Sequence, residues 1–150
     1  PQADRYWEDR DLPGKWVASK GDDRYRKSLY TYWRRMALHP TMELLDAPAR
    51  AVCVSKRTTA NLPTQALVTL NAPVFVESAE GLAKRLLSEP GDQKARLDLA
   101  FRLCLGRRPA PAEQIKFLGF LESHPAKSKD AAWVSVATIL LNLDETITRP

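Results

Sequence analysis

Two cations and two hydroxyls stand together shortly before a helix start, at Lys56, Arg57, Thr58 and Thr59. The helix begins near Pro63, because proline lacks the N–H that a first helical turn does not use. Cations and hydroxyls ahead of a helix N-terminus suit a phosphate or a carboxylate. The structural alternative, in which the threonines cap the helix, is the one that we favour.

Asp46 is the carboxylate with the clearest candidate partners. It ends a short apolar turn, where a carboxylate can face inward, and Arg57 precedes the helix start that brings Gln65 nearby. An arginine fork satisfies a carboxylate with two parallel hydrogen bonds, whereas a buried charge without a partner is strongly unfavourable. We therefore predict that Asp46 accepts hydrogen bonds or an ion pair from Arg57, Arg50 or Arg26.

Metal, haem and disulfide chemistry have little support from residue spacing. Cys53 and Cys104 form neither a zinc pattern nor a CxxC pair, and no CxxCH motif is present for haem attachment. His39 and His124 each precede a proline and have no histidine partner at helical spacing. We expect no metal and no cofactor in this chain, and two unlinked, buried thiols.

Five helices are predicted to position these residues in the last two-thirds of the chain. Their approximate bounds are Thr64–Leu70, Pro73–Leu87, Asp92–Leu105, Pro111–His124 and Ala131–Leu143. Asp92 and Asp130 are the expected N-caps of the third and fifth helices, and Gly106 fits the left-handed position after the third. The fifth helix is apolar nearly all round, which predicts a central buried position.

The apolar spacing also predicts which side chains these helices bury. The expected set is Phe75, Ala79, Leu82, Ala83, Leu86, Leu87, Leu97, Ala100, Phe101, Cys104, Leu105, Ile115, Phe117, Leu118 and Leu121.

The first 60 residues carry weaker signals. Residues 1–23 are predicted to form an irregular arm held by Tyr6, Trp7 and Trp16. Residues 24–35 alternate in a way that favours a strand, with a helix as the alternative. Their arginines would form either an anion-binding row or a charged edge that discourages strand pairing.

Two further short elements are expected before residue 60. Thr41 is the candidate N-cap of a helical turn that Pro48 ends, and residues 51–54 fit a short strand. The predicted fold class is therefore mainly α: a compact bundle of about five helices with a short N-terminal strand or extended segment. Residues 24–150 would form a single helical domain.

The composition of the chain limits the classes of function that it can have. A chain of 150 residues with 44% hydrophobic and 27% charged residues is typical of one globular domain. No apolar run approaches the ~18 residues needed to span a bilayer. The net charge is +5, but it is spread without a basic stripe on any helix, so nucleic-acid binding is not favoured.

Five stretches, in order, resemble a known family. They are YRKSLYTYWRR, HPTMELLDAPARAVC, RTTANLPTQALVTLNAPVFVESAEGLAKRLL, FRLCLGRRPAPAEQ and WVSVATILLNLDET. From about Tyr6 to Arg149 the chain is similar to the C-terminal part of the Planctomycete-specific domain, domain of unknown function 1553. The resemblance implies a larger parent with an export signal and often a cytochrome-c-like domain upstream, so this chain would be a fragment, a separate piece or a subunit.

The resemblance also singles out a candidate polar cluster and three departures from the family pattern. The family's Phe, Asp and Phe are replaced by Leu45, Ala72 and Thr146. An Asp that served as a ligand or base at position 72 would be missing here. The candidate cluster comprises Arg26, Tyr30, Arg35, Asp46, Arg50, Arg57, Gln65 and Asn71.

The resemblance implies a non-catalytic structural or interaction domain of an exported, cytochrome-c-associated complex. Its location would be periplasmic or extracytoplasmic, and its partner a protein or the upstream part of the same polypeptide, with any haem c carried there. The alternative is part of an enzyme of polysaccharide or sugar chemistry whose site an upstream segment completes. A glycosidase needs two carboxylates, and Asp46 and Glu77 are candidates only by elimination.

Overall fold

The structure is a computed structural model, and it describes residues 17–33, 38–49, 51–56, 60, 62–123 and 129–147. It divides into an amino-terminal unit, Pro1–Val68, and a carboxy-terminal unit, Thr69–Pro150. That residues 24–150 form a single domain, with an irregular arm before them, stays a prediction.

The described residues are mainly α-helical, as predicted. The helices are α1 Pro40–Leu44, α2 Pro63–Asn71, α3 Pro73–Ser88, α4 Gln93–Leu105, α5 Pro111–Ser123, α6 Lys129–Leu141 and α7 Asp144–Ile147. Helix α1 belongs to the amino-terminal unit, α2 runs from the first unit into the second, and α3 to α7 form the carboxy-terminal unit.

Helix α6 is the centre of the carboxy-terminal bundle. It packs mainly against α3 and also contacts α4, α5 and α7. Small residues at the α3 interface, Ala79 and Ala83, are almost fully buried, as is Trp133 of α6 with 3% of its surface exposed. Val136 and Leu140 of α6 are completely buried. The predicted central position is confirmed by these contacts, but the helix is not buried all round, because Ala131, Ser135 and Ile139 form an exposed stripe along it.

The turn chemistry predicted for α4 is also confirmed. The Asp92 side chain accepts a hydrogen bond from the Ala95 N–H at 2.8 Å, which caps the helix. Gly106 has φ +72°, and its N–H donates to the Arg102 carbonyl at 3.2 Å. An aspartate cap and a left-handed glycine therefore mark the two ends of this helix.

Two details of the last helices differ from the prediction. Asp130 lies inside the first turn of α6 rather than at its cap, because the helix already begins at Lys129. The helix ends at Leu141, and a further short helix, α7, follows after a turn. Asp144 and Glu145 lie in the first turn of α7, where negative charge complements the helix dipole.

The predicted burial of Ile115 is wrong, since 73% of its surface is exposed. Leu121 is buried, and Phe117 and Leu118 are half-buried against the same core. Leu121 follows Ile115 by six residues, which places the two about 120° apart around the helix axis. The spacing of Ile115 from Leu118 fits a helical face, but the bundle covers a different face.

The predicted strands are absent from the described residues of the amino-terminal unit. Residues 24–33 instead contain parts of two 3₁₀ turns, Gly21–Tyr25 and Ser28–Tyr30, with extended backbone at Arg26 and Thr31. This matches the extended-segment alternative. Residues 51–54 are irregular and exposed. A strand must pair its backbone groups with a neighbouring strand, and the local turns satisfy some of those groups here.

The amino-terminal unit has no apolar core among its described residues. Gln65 is the one described side chain in that unit that is buried, with 7% exposure. The prediction that Tyr6, Trp7 and Trp16 hold the amino-terminal arm in place concerns residues outside the described part of the chain. In the described ranges, none of the helices has the length and apolar character needed to cross a bilayer.

Candidate functional site

Asp46 occupies a special backbone position at the end of α1. The Ala47 N–H donates to the Met42 carbonyl at 2.9 Å, and the Asp46 N–H donates to the Glu43 carbonyl at 3.1 Å. These two bonds are the pair that closes a Schellman turn, whose C′ residue is left-handed. Asp46 has φ +57°, a conformation that aspartate tolerates better than most residues. The Asp-Ala-Pro sequence therefore forms the turn that was predicted for it.

The start of the same helix differs from the prediction. His39, not Thr41, is the N-cap residue, and Pro40 occupies the first helical position. Pro40 is favoured there because its fixed φ fits the first turn and its missing N–H is not needed.

The carboxylate of Asp46 joins the turn after α1 to the beginning of α2. Its Oδ2 atom accepts a hydrogen bond from the Ala60 N–H at 2.8 Å and another from Gln65 Nε2 at 3.0 Å. Gln65 is buried, so its amide needs this partner. We call Asp46, Ala60 and Gln65 the Asp46 clasp. Two residues of the predicted polar cluster, Asp46 and Gln65, are thus brought together.

The structure describes three further members of the predicted cluster, Arg26, Tyr30 and Asn71. Arg26 donates from Nε to Asp23 Oδ1 at 2.6 Å in an exposed i, i+3 pair. Tyr30 is 67% exposed, and Asn71 is exposed at the end of α2. Arg35, Arg50 and Arg57 lie outside the described residues. The pairing of Asp46 with an arginine therefore stays a prediction.

The proposed anion-binding group before α2 is described only at Lys56, which is exposed. Arg57, Thr58 and Thr59 lie outside the described residues. Both alternatives, anion binding and helix capping, stay predictions.

Metal-binding geometry is lacking in the described part of the chain, which holds no group of three or more His, Cys, Asp or Glu residues suited to a metal ion. His39 is partly buried, and desolvation lowers the pKa of its imidazole. Its Nδ1 atom is buried without a hydrogen-bond partner. A neutral imidazole is the form that such an environment favours.

The cysteines and the candidate carboxylate pair fall in separate parts of the molecule. Cys53 is exposed and Cys104 is half-buried, and both thiols are free. The expectation that both are buried is wrong for Cys53, because the predicted strand around it does not form. Burial raises the pKa of the Cys104 thiol.

Of the two candidate carboxylates for sugar chemistry, Asp46 belongs to the amino-terminal unit and Glu77 to the carboxy-terminal unit.

The strongest polar cluster in the described residues was not predicted. Arg107 forms two parallel hydrogen bonds with Glu113, from Nη1 to Oε2 and from Nη2 to Oε1, both at 2.8 Å. It forms a second pair with Glu145, from Nε at 2.9 Å and from Nη2 at 3.1 Å. Its guanidinium carbon lies 5.4 Å from the centroid of the buried Phe101 ring. This Arg107 cluster links the loop after α4 to α5 and α7.

The electrostatics of the Arg107 cluster are those of a satisfied structural network. The hydrogen bonds from Arg107, and then the bond from the Ala110 N–H at 2.7 Å, lower the pKa of Glu113 to about 2. Hydrogen bonds to Glu113 and Glu145 raise the pKa of Arg107. Bidentate pairing on both sides uses most of the donors of the guanidinium.

One part of this cluster had a signal in the sequence. Glu113 is the third residue of a helix that begins at Pro111, and a glutamate at this position typically bonds the N–H of the N-cap residue. Glu145 had no such signal, because it lies 38 residues from Arg107 and reaches it only through the packing of α7.

At two positions where the resemblance leads us to expect another residue, the structure shows what the present side chain does. Thr146, where the resemblance leads us to expect Phe, donates from its hydroxyl to the Leu140 carbonyl at 2.6 Å. Ala72 is the N-cap residue of α3 and supplies no side-chain hydrogen bond. The Asp that the resemblance leads us to expect there would be placed to cap the helix, which is a structural role that requires no catalysis.

The chain matches a model of a known protein family. The family model described as "PSD1: Protein of unknown function (DUF1553)" matches residues 2–121. No curated protein and no solved structure matches the chain.

Proposed function

Because this chain belongs to the DUF1553 family of proteins of unknown function, we propose that it is a non-catalytic interaction module of a larger assembly. In this proposal a protein surface covers the amino-terminal unit, and the carboxy-terminal bundle is folded on its own apolar core. That surface is a separate subunit or an upstream part of the same polypeptide. The chain would then correspond to the C-terminal part of a longer, planctomycete-type domain.

One observation carries the proposal. The described residues of the amino-terminal unit bury no apolar side chain, yet several large ones are exposed. Val17, Leu29 and Val52 are each exposed by 75% or more. Single exposed apolar residues are common, but many of them in a unit whose described residues include no apolar core favour a surface that a partner covers.

The polar residues support an interaction role better than a catalytic one. The carboxylate of Asp46 accepts hydrogen bonds from Ala60 and Gln65, and Glu113 is held by Arg107. A general acid or base needs a carboxyl group whose pKa lies near the working pH, whereas the pKa of Glu113 is lowered to about 2.

The exported, redox-linked setting rests on the resemblance given above and is part of the proposal. We propose that the assembly is periplasmic or extracytoplasmic, and that haem c, where present, is carried by the partner or by an upstream domain. Nothing in the described residues of this chain is assigned to bind it.

Native mass spectrometry, with hydrogen exchange before and after dissociation of the assembly, tests the proposal. The protein is isolated under mild conditions, through a tag, from cells that make it. We expect a defined complex with a haem-c-bearing polypeptide, identified by mass and by haem absorption. Exchange should slow in residues 17–56 on assembly and stay unchanged on the exposed face of α5.

Val52→Asp and Ile115→Asp are the matched variants, because these two residues are exposed by 75% and 73%. The first should weaken the complex and the second should not. A monomeric chain, or equal effects of the two variants, would contradict the proposal. Release of sugars by the isolated complex, lost on Asp46→Asn in a protein that still folds, would favour the enzyme alternative.

A further inference from the structure

The 3₁₀ turn Ser28–Tyr30 holds two large side chains outward at consecutive positions. The Tyr30 N–H donates to the Lys27 carbonyl at 2.9 Å, and the Thr31 N–H donates to the Ser28 carbonyl at 3.1 Å. Leu29 is 75% exposed and Tyr30 is 67% exposed. The backbone is extended just after the turn, at Thr31. Local hydrogen bonds thus fix a small projection whose tip is apolar and aromatic.

The surroundings of this projection are basic. Residues 17–33 contain four basic side chains, Lys20, Arg24, Arg26 and Lys27, and two acidic ones, Asp22 and Asp23. Asp23 pairs with Arg26, and Lys27 is exposed beside the turn. The described residues therefore carry an excess of positive charge near an apolar centre, which is complementary to an acidic surface with an apolar recess.

The residue types favour a protein as the ligand. Tyrosine and arginine are the side chains most enriched where protein interfaces concentrate their binding energy. Nucleic acid would require cations at the tip to meet phosphates, whereas the tip here is Leu29, which gains free energy only by entering an apolar pocket.

We propose that the Ser28–Tyr30 turn is the principal contact of this chain with its partner. Leu29 and Tyr30 insert into an apolar pocket of the partner protein, and carboxylates at the rim of that pocket face Lys27 and the neighbouring arginines. This inference rests on the proposed interaction function and names the part of the amino-terminal unit that carries it.

Site-specific photocrosslinking tests the proposal. A benzophenone amino acid replaces Ser28 in the full chain, in cells that make the protein, and the crosslinked peptide is identified by mass spectrometry. We expect one partner polypeptide, crosslinked at a segment with apolar residues flanked by Asp or Glu. The same probe at Ile115, which is equally exposed on α5, should give no such product.

Two variants of the chain that carries the probe measure the contributions to binding. Tyr30→Ala should lower the crosslinked yield about tenfold, as for a central interface aromatic. Lys27→Glu should lower it about fivefold, and less at high salt, because the effect is electrostatic. Lys116→Glu is the charge control on an exposed face of α5 and should have no effect. Circular dichroism confirms that each variant keeps its helices.

Several outcomes would overturn the inference. They are crosslinks to nucleic acid, crosslinks to a second copy of this chain, a partner segment without acidic residues, or an unchanged yield with Tyr30→Ala. If Val52→Asp disrupts the complex while Tyr30→Ala does not, the inference fails and the proposed function stands. If no complex forms with the unaltered chain, both fail.

Discussion

The two units of this protein are stabilised by different physical means. In the carboxy-terminal unit, α3 to α7 bury a continuous set of apolar side chains around α6. In the described residues of the amino-terminal unit, hydrogen bonds and turns provide the order, with the Asp46 clasp at its centre. Apolar burial is the main source of folding free energy, so the carboxy-terminal bundle has its own source of stability. The amino-terminal unit would gain stability from the partner that we propose for it.

This difference is the reason that we interpret exposed apolar residues differently in the two units. In the bundle, an exposed residue such as Ile115 is a single apolar side chain over a complete core. In the amino-terminal unit, Leu29 and Val52 are exposed although no described apolar residue there is buried. The same degree of exposure therefore has a different meaning in the two units.

The largest expected effect is on the core of the bundle. Trp133→Ala should lower the free energy of unfolding by roughly 3–5 kcal/mol, because it leaves a large cavity in the centre of the core. Leu29→Ala is the control in the amino-terminal unit and should change the stability of the isolated chain by less than about 0.5 kcal/mol. Denaturant melts measure both. A loss under about 1 kcal/mol with Trp133→Ala would show that α6 is not the centre of the core.

The Arg107 cluster gives the second largest effect, and it depends on pH. The pKa of Glu113 is lowered from 4.5 to about 2 in the folded protein, chiefly by hydrogen bonds from Arg107. Its contribution to stability is therefore complete above about pH 4.5 and is lost as the pH falls towards 2. With about a third of the side chain exposed, solvent screening leaves about 1–2 kcal/mol.

Glu113→Gln tests this interpretation. At pH 7 the variant should be less stable by about 1–2 kcal/mol. The two stability curves should converge towards pH 2, where the wild-type carboxyl is protonated as well. Glu122→Gln is the control, because Glu122 is an exposed glutamate near the other end of the same helix. A difference that persists unchanged at pH 2 would show that the contribution of Glu113 is not electrostatic.

The sequence predicted the bundle well because its signals are local. Pro63, Pro73 and Pro111 begin helices, and Asp92 and Gly106 bound α4, so each decision depends on a few neighbouring residues. The apolar circumference of α6 then placed it at the centre of the bundle. Each of these features can be recognised without knowing which helices pack together.

The features that were missed depend on residues distant in the chain. Arg107 and Glu145 are 38 residues apart, and only the packing of α7 brings them together. The strand predicted for residues 24–35 failed in its described part for a related reason. Alternation shows that a segment has two faces, but a strand also needs a neighbouring strand, and no described residue supplies one. The Asp46 clasp was found in part, since Gln65 was in the predicted cluster but the Ala60 N–H was not.

Asp46→Asn should have an effect of similar size in the amino-terminal unit. The substitution keeps an oxygen acceptor but removes the charge that strengthens the bonds to Ala60 and Gln65. If the clasp is structural, stability should fall by about 1–2 kcal/mol while binding in the folded fraction is kept. Unfolding measured by fluorescence and binding measured on the complex separate the two properties. An unchanged melt with lost binding would instead identify Asp46 as part of a binding or catalytic site.

The smallest effect is a gain in stability at the start of α3. Ala72 is the N-cap residue, with extended backbone at φ −70° and ψ 134°, and it supplies no side-chain hydrogen bond. Ala72→Asp should stabilise the protein by about 0.5–1 kcal/mol, because the carboxylate accepts a bond from a first-turn N–H and complements the helix dipole. Ala72→Asn makes the same bond without the charge, so the difference between the two variants in thermal melts isolates the dipole contribution. Helix α2 ends at Asn71, so its partly negative carbonyl end is next to position 72 in the chain. Repulsion between that end and the new carboxylate keeps the gain in stability below that of a cap on an isolated helix. A variant with Asp that gains no stability but acquires binding or activity would show that an Asp at this position is a functional group and not a cap.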